Sequence, residues 1–403
     1  MGILSLIFFM IWPFGALLFS FKNYSTKWTK NIIWLFVIFY GYTFVLFNDT
    51  MDANRLQLKF DFFQYTNFDL ARVIEYFFLH NEEGVDIIQP VILYLTSIFS
   101  HDFQVLMAVL AFIFGFFYSR NICYLLDRSE GKISIYNYWI LWSFIFVIGF
   151  WNINGFRFWT AAHIFFYAIM PFIYERNKKR LWLLPFVALL HFSYLFPILA
   201  FIVFLFVKQN IKIIFYIFIF SFFVGTINTE AIGDILLNVL PGNFERKVIG
   251  YTSAEYANEV LSEEASMSAI LRKVMFAVIN IYFIVFYYYN LNKIKMDPML
   301  YRLFVFCILI MTFGNFASLI PSGQRFLVLS ALFSLSFIYF YIQKVAIGLK
   351  FKILLQVGIP FLFLASIGYI RIGLNTINEL VLIGNPITMF FIDSGKALIE
   401  WFL

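Results

Sequence analysis

Three basic side chains stand where this chain has little evident reason to carry a charge. Arg157 opens an apolar run in "WNINGFRFWTAAHIFFYA" (151–168). His191 lies inside "LWLLPFVALLHFSYLFPILAFIVFLFV" (181–207), between Pro185 and Pro197. Arg325 opens another apolar run in "PSGQRFLVLS". Ionisable groups at membrane depth are costly and ordinarily face a cavity or a partner. Neither arginine has an acidic residue in its own segment. Two guanidinium groups with an imidazole suit an anion, because the planar guanidinium fork binds phosphate oxygens in pairs. Each residue also has a plainer reading. An arginine at a helix start is often a snorkelling anchor, and a histidine in an apolar helix is usually a satisfied structural residue. His163, six residues beyond Arg157, is read as structural, and Arg371 as an anchor.

Further polar residues gather in the segments beside these three. Asp52 and Arg55 lie one helical turn apart in "NDTMDANRLQLKF" (48–60), and Glu82 and Glu83 are adjacent in "HNEEGVD" (80–86). Asn154 and Gln324 stand close to the two arginines. A carboxylate beside a cleft can serve as a general base, although a solvated loop charge is the ordinary explanation. There is no Asp-x-Asp triplet and no His/Cys cluster with metal spacing, so neither a metal nor another cofactor is expected. The P-loop and dinucleotide fingerprints are absent too, which argues against nucleotide chemistry.

The elements that must position these residues are set by composition. Of 403 residues, 62% are hydrophobic, 13% are charged and 58 are Phe. A soluble domain of this length could not hide so much apolar surface. Apolar runs long enough to span a bilayer recur along the chain. The expected fold is therefore all-α, a polytopic integral membrane protein forming a single transmembrane domain over 1–403. The net charge of +6 comes with no soluble basic module, so nucleic acid is not an expected partner. Cys123 and Cys307 are read as small packed hydrophobes.

Lys and Arg collect on the cytoplasmic ends of membrane helices. Basic clusters occur at Lys22/Lys27/Lys30, Arg120/Arg128/Lys132, Arg176/Lys178/Lys179/Arg180, Lys208/Lys212, Lys293/Lys295 and Lys344/Lys350/Lys352. Acidic residues collect in two outer loops, about 48–86 and 229–268. With both flanks of 181–207 cytoplasmic, that stretch must cross an even number of times, so a hairpin with His191 at its outward tip is expected. The resulting spans are 3–21, 32–47, 103–124, 136–151, 157–174, 181–192, 193–207, 212–228, 269–290, 299–317, 325–343 and 352–371. That gives about twelve crossings with the N-terminus outside. Residues 1–21 are read as a retained helix and 86–100 as a re-entrant or interfacial segment. Residues 68–80 are read as an amphipathic helix on the outer interface. Arg157, His191 and Arg325 then converge on the outer side.

With these residues in hand, the chain resembles the EpsG family of bacterial polysaccharide polymerases, relatives of the Wzy-type O-antigen and capsule polymerases. The likeness covers roughly 30–345 and rests on an order of features. "NDTMDANR" follows the second span and "GVDIIQPVILYLTSIF" precedes the third. "NINGFRFWTAAHIFFYAIMPF", "ERNKKR", "VALLHFSYLFPI" and "PSGQRFLVLSALF" then follow. Such families typically show Asn-x-x-Arg-Gln and His-x-Ser. Asn154 and Arg157 fit the first, with Phe158 in place of the Gln, and His191 and Ser193 fit the second.

The resemblance implies a GT-C-like membrane glycosyltransferase at the outer face of the bacterial inner membrane. It would join oligosaccharide repeat units carried on undecaprenyl pyrophosphate. Its partners would be that lipid-linked oligosaccharide, membrane lipid, and flippase and chain-length regulator proteins. On that reading Arg157 and Arg325 stabilise the departing pyrophosphate. His191 either deprotonates the acceptor hydroxyl or binds a phosphate oxygen. Asp52, Glu82 and Glu83 compete for the base role, and Arg55, Asn154 and Gln324 join the substrate-binding set. An O-antigen ligase, a lipid-linked oligosaccharide flippase and an outer-face acyltransferase are the alternatives. The flippase fits less well, because transporters often show internal repeats and none is evident here.

Overall fold

The computed structural model describes residues 2–24, 26–46, 52–65, 86–129, 131, 133–207, 210–223, 234, 237–238, 249, 266–320, 322–392 and 395–401. The described chain is helical, and among the described residues the only β-pairing is an isolated bridge between Asn378 and Ala397. Its helices are α1 (Gly2–Ile11), α2 (Pro13–Lys22), α3 (Thr29–Tyr42), α4 (Asp52–Tyr65), α5 (Ile88–Phe99), α6 (Phe103–Leu126), α7 (Ile135–Val147) and α8 (Phe156–Glu175). They continue with α9 (Leu184–Leu190), α10 (Leu195–Phe206), α11 (Ile211–Phe220), α12 (Met267–Val285), α13 (Leu291–Met296), α14 (Pro298–Ala317), α15 (Arg325–Lys344) and α16 (Leu349–Gly373).

Among the described residues, six stretches are long and apolar enough to cross a membrane: 103–126, 135–175, 267–296, 298–317, 325–344 and 349–373. Several of the other expected spans are shorter helices. Gly2–Ile11, Leu181–Leu190, Phe192–Phe206 and Ile211–Phe220 are each under 18 residues. At about 1.5 Å per residue they fall short of a hydrocarbon core about 30 Å thick. The stretch read as a re-entrant or interfacial segment forms α5, a helix of twelve residues.

The 135–175 stretch is two legs rather than one rod. Helix α7 stops where Ile148 turns to φ −128°, ψ 82°. A 3-10 turn over Phe150–Gly155 follows, and then α8 begins. The far ends of both legs meet the same end of α15. Asn137 Nδ2 donates to the Tyr339 carbonyl at 2.8 Å, and the Tyr174 ring stacks on Phe340 at 4.5 Å. Helices α7 and α8 therefore run antiparallel with their turn at the opposite, Arg325 end of the bundle, as two separate helices where the sequence is read as two spans, although α7 has only 13 residues.

The 181–207 stretch also folds as a hairpin. Tyr194 packs near the start of α8, 5.1 Å from Phe158. Phe201 lies farther along, 5.5 Å from Phe172. Helix α10 thus descends alongside α8, while α9 climbs to the break at His191, whose backbone is extended at φ −151°, ψ 111°.

The first expected span, 3–21, is not a single helix. Trp12 is extended at φ −150°, ψ 89° and Pro13 starts α2. Proline lacks the N–H that would continue the helix and disfavours helical geometry in the residue before it. The chain turns back, so that Phe8 meets Phe19 with ring centres 6.0 Å apart and Gly2 lies against the Trp28 indole. The start of the chain therefore lies at the Lys22 end of the bundle, not at the opposite end as expected from one crossing.

Close backbone approach welds α3 to α6. A Cβ on Gly41 would come within 2.6 Å of the Met107 carbonyl oxygen, and one on Gly115 within 2.8 Å of Val37 Cβ. Small residues at helix interfaces allow this approach, and in lipid such packing drives helix association. At the Lys344 end, charged groups clamp helix termini. Arg302 donates to the Ile173 and Tyr174 carbonyls at 3.0 and 2.7 Å, closing the end of α8. Arg128 pairs with Glu175, and Lys344 with Asp297 at 3.0 Å. Both cysteines are buried thiols.

Candidate functional site

At the Arg325 end, Phe158 is the hub. It sits one residue past Arg157 in the first turn of α8 and is only 5% exposed. The His191 ring stands in a T-shaped arrangement with the Phe158 ring, with centroids 5.3 Å apart. The Arg325 guanidinium carbon lies 5.8 Å from the same ring centre, within cation–π range. Tyr194 and Phe326 complete the shell at 5.1 and 5.4 Å. The Tyr194 hydroxyl donates to the Phe158 carbonyl at 3.0 Å. His191 and Arg325, from elements separated in sequence, thus meet at one aromatic ring, and Arg157 is the neighbouring residue of α8. That ring stands where the resembling pattern carries a glutamine.

Arg157 has an acidic partner that its own segment does not contain. Its Nη1 donates to Asp86 Oδ2 at 3.0 Å. Asp86 lies 71 residues upstream, just before α5, and is 2% exposed. The other oxygen of Asp86 accepts the backbone N–H of Phe192 at 2.8 Å. One carboxylate therefore bridges the start of α8 and the tip of the hairpin. Arg325 differs: among the described residues it meets no carboxylate within ion-pair distance.

The tautomer of His191 follows from its neighbours. The Ser193 backbone N–H points to His191 Nδ1 at 3.4 Å, and the Ser193 hydroxyl lies 2.8 Å from the same atom. A backbone N–H only donates, so Nδ1 is the acceptor. The proton of the neutral ring is then on Nε2.

Asn154 closes another side of the site. Its Oδ1 accepts the N–H of Ala53 at 3.0 Å, which ties the start of α4 to the turn before α8. Asp52, the first residue of α4, lies close to Gly155: a Cβ there would stand 3.6 Å from Asp52 Oδ2. Arg55 is exposed one turn along α4. Gln324 immediately precedes Arg325 at the start of α15. Glu82, Glu83 and the 68–80 segment fall outside the described residues. His163 is buried away from this cluster, its Nδ1 3.2 Å from Asn121 Nδ2, with Phe114 and Tyr118 ring edges around it. That is a packed, structural setting.

The EpsG family model matches residues 63–380. The chain belongs to the EpsG family. This family comprises Wzy-type polymerase-like membrane proteins, and membership makes the chain a membrane protein of polysaccharide biosynthesis. No curated protein and no solved structure matches it. Asp86, Arg157, Phe158, His191 and Arg325 all lie within the part matched by the EpsG family, whereas Asp52 and Arg55 precede it. Reasoning from sequence missed Asp86 and Phe158 as site residues. The available signal for Asp86 was its place as the last acidic residue before the apolar run "IIQPVILYLTSIF". Phe158 carried no signal, because one Phe among 58 is indistinguishable from core.

Proposed function

We propose that this EpsG-family protein polymerises lipid-linked oligosaccharide repeat units at the outer face of the bacterial inner membrane. The growing chain would move from its undecaprenyl pyrophosphate to a hydroxyl of the next unit. The bond between the anomeric carbon and the pyrophosphate oxygen breaks, and its electron pair leaves with the pyrophosphate. A bond forms from the acceptor oxygen to the anomeric carbon, and the acceptor proton goes to a base. The observation that carries this reading is the meeting of His191 and Arg325 at Phe158, with Arg157 tied through Asp86 to the backbone beside His191, in a chain of this family.

Preorganised donors at the point where charge develops are usually the largest electrostatic contribution to such a reaction. Arg325 supplies a positive charge that meets no carboxylate among the described residues, and Arg157 supplies donors held in place by Asp86. His191 with its proton on Nε2 suits donation to a phosphate oxygen better than proton abstraction. The base role then passes to an outer-loop carboxylate. Among the described residues Asp52 is the candidate, beside Gly155, which itself stands two residues before Arg157. The outward orientation is supported by the opposite end of the bundle, which gathers Arg128, Arg302 and Lys344, as expected of a cytoplasmic face.

The test is deletion of the gene in its native host, with surface and lipid-linked glycans sized on a gel. Collapse of the polymer ladder to single surface repeat units supports the proposal. Long polymer stranded on its lipid indicates a ligase, and single units retained inside indicate a flippase. Complementation with Arg157→Ala, His191→Ala and Arg325→Ala then tests the site, and unchanged chain length in all three sinks it.

A further inference from the structure

The carboxylate of Asp86 has contacts that burial alone does not demand. One oxygen holds Arg157 at 3.0 Å and the other holds the Phe192 N–H at 2.8 Å. Phe192 directly follows His191 at the hairpin tip. The start of α8, the hairpin tip and the residue leading into α5 are therefore fixed to one another through a single buried group. A carboxylate with a side chain only 3% exposed is kept only if well partnered. Here its partners are one proposed catalytic residue, Arg157, and the backbone amide that follows another, His191.

The charge balance has a second consequence. Asp86 compensates Arg157, while Arg325 meets no carboxylate among the described residues. Two uncompensated guanidinium groups would grip pyrophosphate in every state. Binding that is equally strong before and during bond breaking does not raise the chemical rate, and it retards release of the leaving group.

We propose that Asp86 is a positioning residue that orients Arg157 and the His191 tip against each other and restrains the ground-state affinity of the site for pyrophosphate. This rests on the reading of the site as one that stabilises a departing pyrophosphate. Asp86 touches neither donor nor acceptor in this scheme. It acts through Arg157 and through the backbone beside His191.

The test pairs two measurements on the full chain. Purified protein in detergent micelles is titrated with inorganic pyrophosphate by calorimetry, and the same variants are scored for polymer length in the deletion strain. Asp86→Asn keeps the shape and an acceptor for the Phe192 amide but removes the charge. The expected result is pyrophosphate binding tighter by about tenfold together with loss of long polymer. Asp86→Glu is expected to restore part of the polymer. A merely structural role would lower binding, polymer length and thermal midpoint together, and that outcome overturns the proposal. Full polymer length in Asp86→Asn overturns it as well, as does absence of pyrophosphate binding in both wild type and variant. Failure of the functional reading looks different: deletion leaves the glycan unchanged while Asp86→Asn still tightens pyrophosphate binding, which upholds the charge-balance role of Asp86.

Discussion

The hydroxyl of Ser193 lies 2.8 Å from Nδ1 of His191, and the Ser193 amide N–H points to the same atom. The backbone amide two residues away thus selects which ring nitrogen carries the proton, and the hydroxyl can add a second donor to the same atom. This local turn makes His191 a donor through Nε2.

His191→Gln tests this directly, because the glutamine amide reaches about as far as Nε2 and donates but does not act as a base. Substantial polymerisation is expected to survive in His191→Gln. His191→Ala is expected to fall by about a hundredfold or more, the usual cost of losing one preorganised donor. Equal loss in both, measured as turnover of a lipid-linked repeat unit, would instead favour a proton-abstracting role.

The two arginines should respond differently to lysine. Arg325→Lys keeps a charge at a place where the guanidinium rests on a ring face, so partial activity is expected. Arg157→Lys loses the fork that meets Asp86, and Arg and Lys are not interchangeable at such positions. A lower rate for Arg157→Lys than for Arg325→Lys is the expected order in complemented cells and in purified enzyme. The reverse order would contradict the assignment.

Phe158→Ala removes the ring shared by His191, Tyr194, Phe326 and Arg325. Buried Phe→Ala changes cost about 3–5 kcal/mol. Both a lower thermal midpoint and loss of polymer are expected, since the hub holds the packing and the site together. Phe158→Leu should recover the midpoint more than the activity, because it refills volume without a π face.

Gly41→Leu and Gly115→Leu probe the α3–α6 seam, far from the chemistry. Side chains there would drive into the Met107 carbonyl and Val37, and overpacking costs about 1–3 kcal/mol or more. Reduced membrane yield and early unfolding in micelles are expected. Gly348→Leu, where a Cβ meets nothing within 4 Å, should be tolerated and serves as the control.

Acid sensitivity is expected at the Lys344 end. Partial burial raises the Asp297 carboxyl, but the Leu300 and Met299 amides and Lys344 outweigh it and leave it below its ordinary value. A folded-state value below the unfolded one contributes stability above the unfolded value of about 3.9, and that stability is lost as pH falls through the folded value. Asp297→Ala should remove a helix cap worth about 1 kcal/mol and flatten the acid limb of a stability-versus-pH curve. An unchanged limb would assign that limb to another carboxylate.

Much of the architecture was legible without coordinates. Apolar runs near 20 residues long mark α6, α14, α15 and α16, because a bilayer demands that length and backbone hydrogen bonds must close within a helix. Charge parity foretold the hairpin at His191, since lysines and arginines flank that stretch on both sides. The same logic failed at the first span. Length and hydropathy do not register that Trp12 and Pro13 fold ten residues back on ten others.

The site divides along the same line. Arg157, His191 and Arg325 announce themselves by being charged or polar inside apolar runs, which is a local property of sequence. Only the tertiary structure decided that His191 and Arg325 meet at Phe158, that Asp86 joins Arg157 to the backbone beside His191, that among the described residues Arg325 meets no carboxylate, and that the Ser193 amide sets the His191 tautomer. The reason is distance along the chain. Asp86 reaches Arg157 across 71 residues, and no periodicity or motif encodes that contact. The helices that bring the two together do so by packing, and packing depends on every side chain at once.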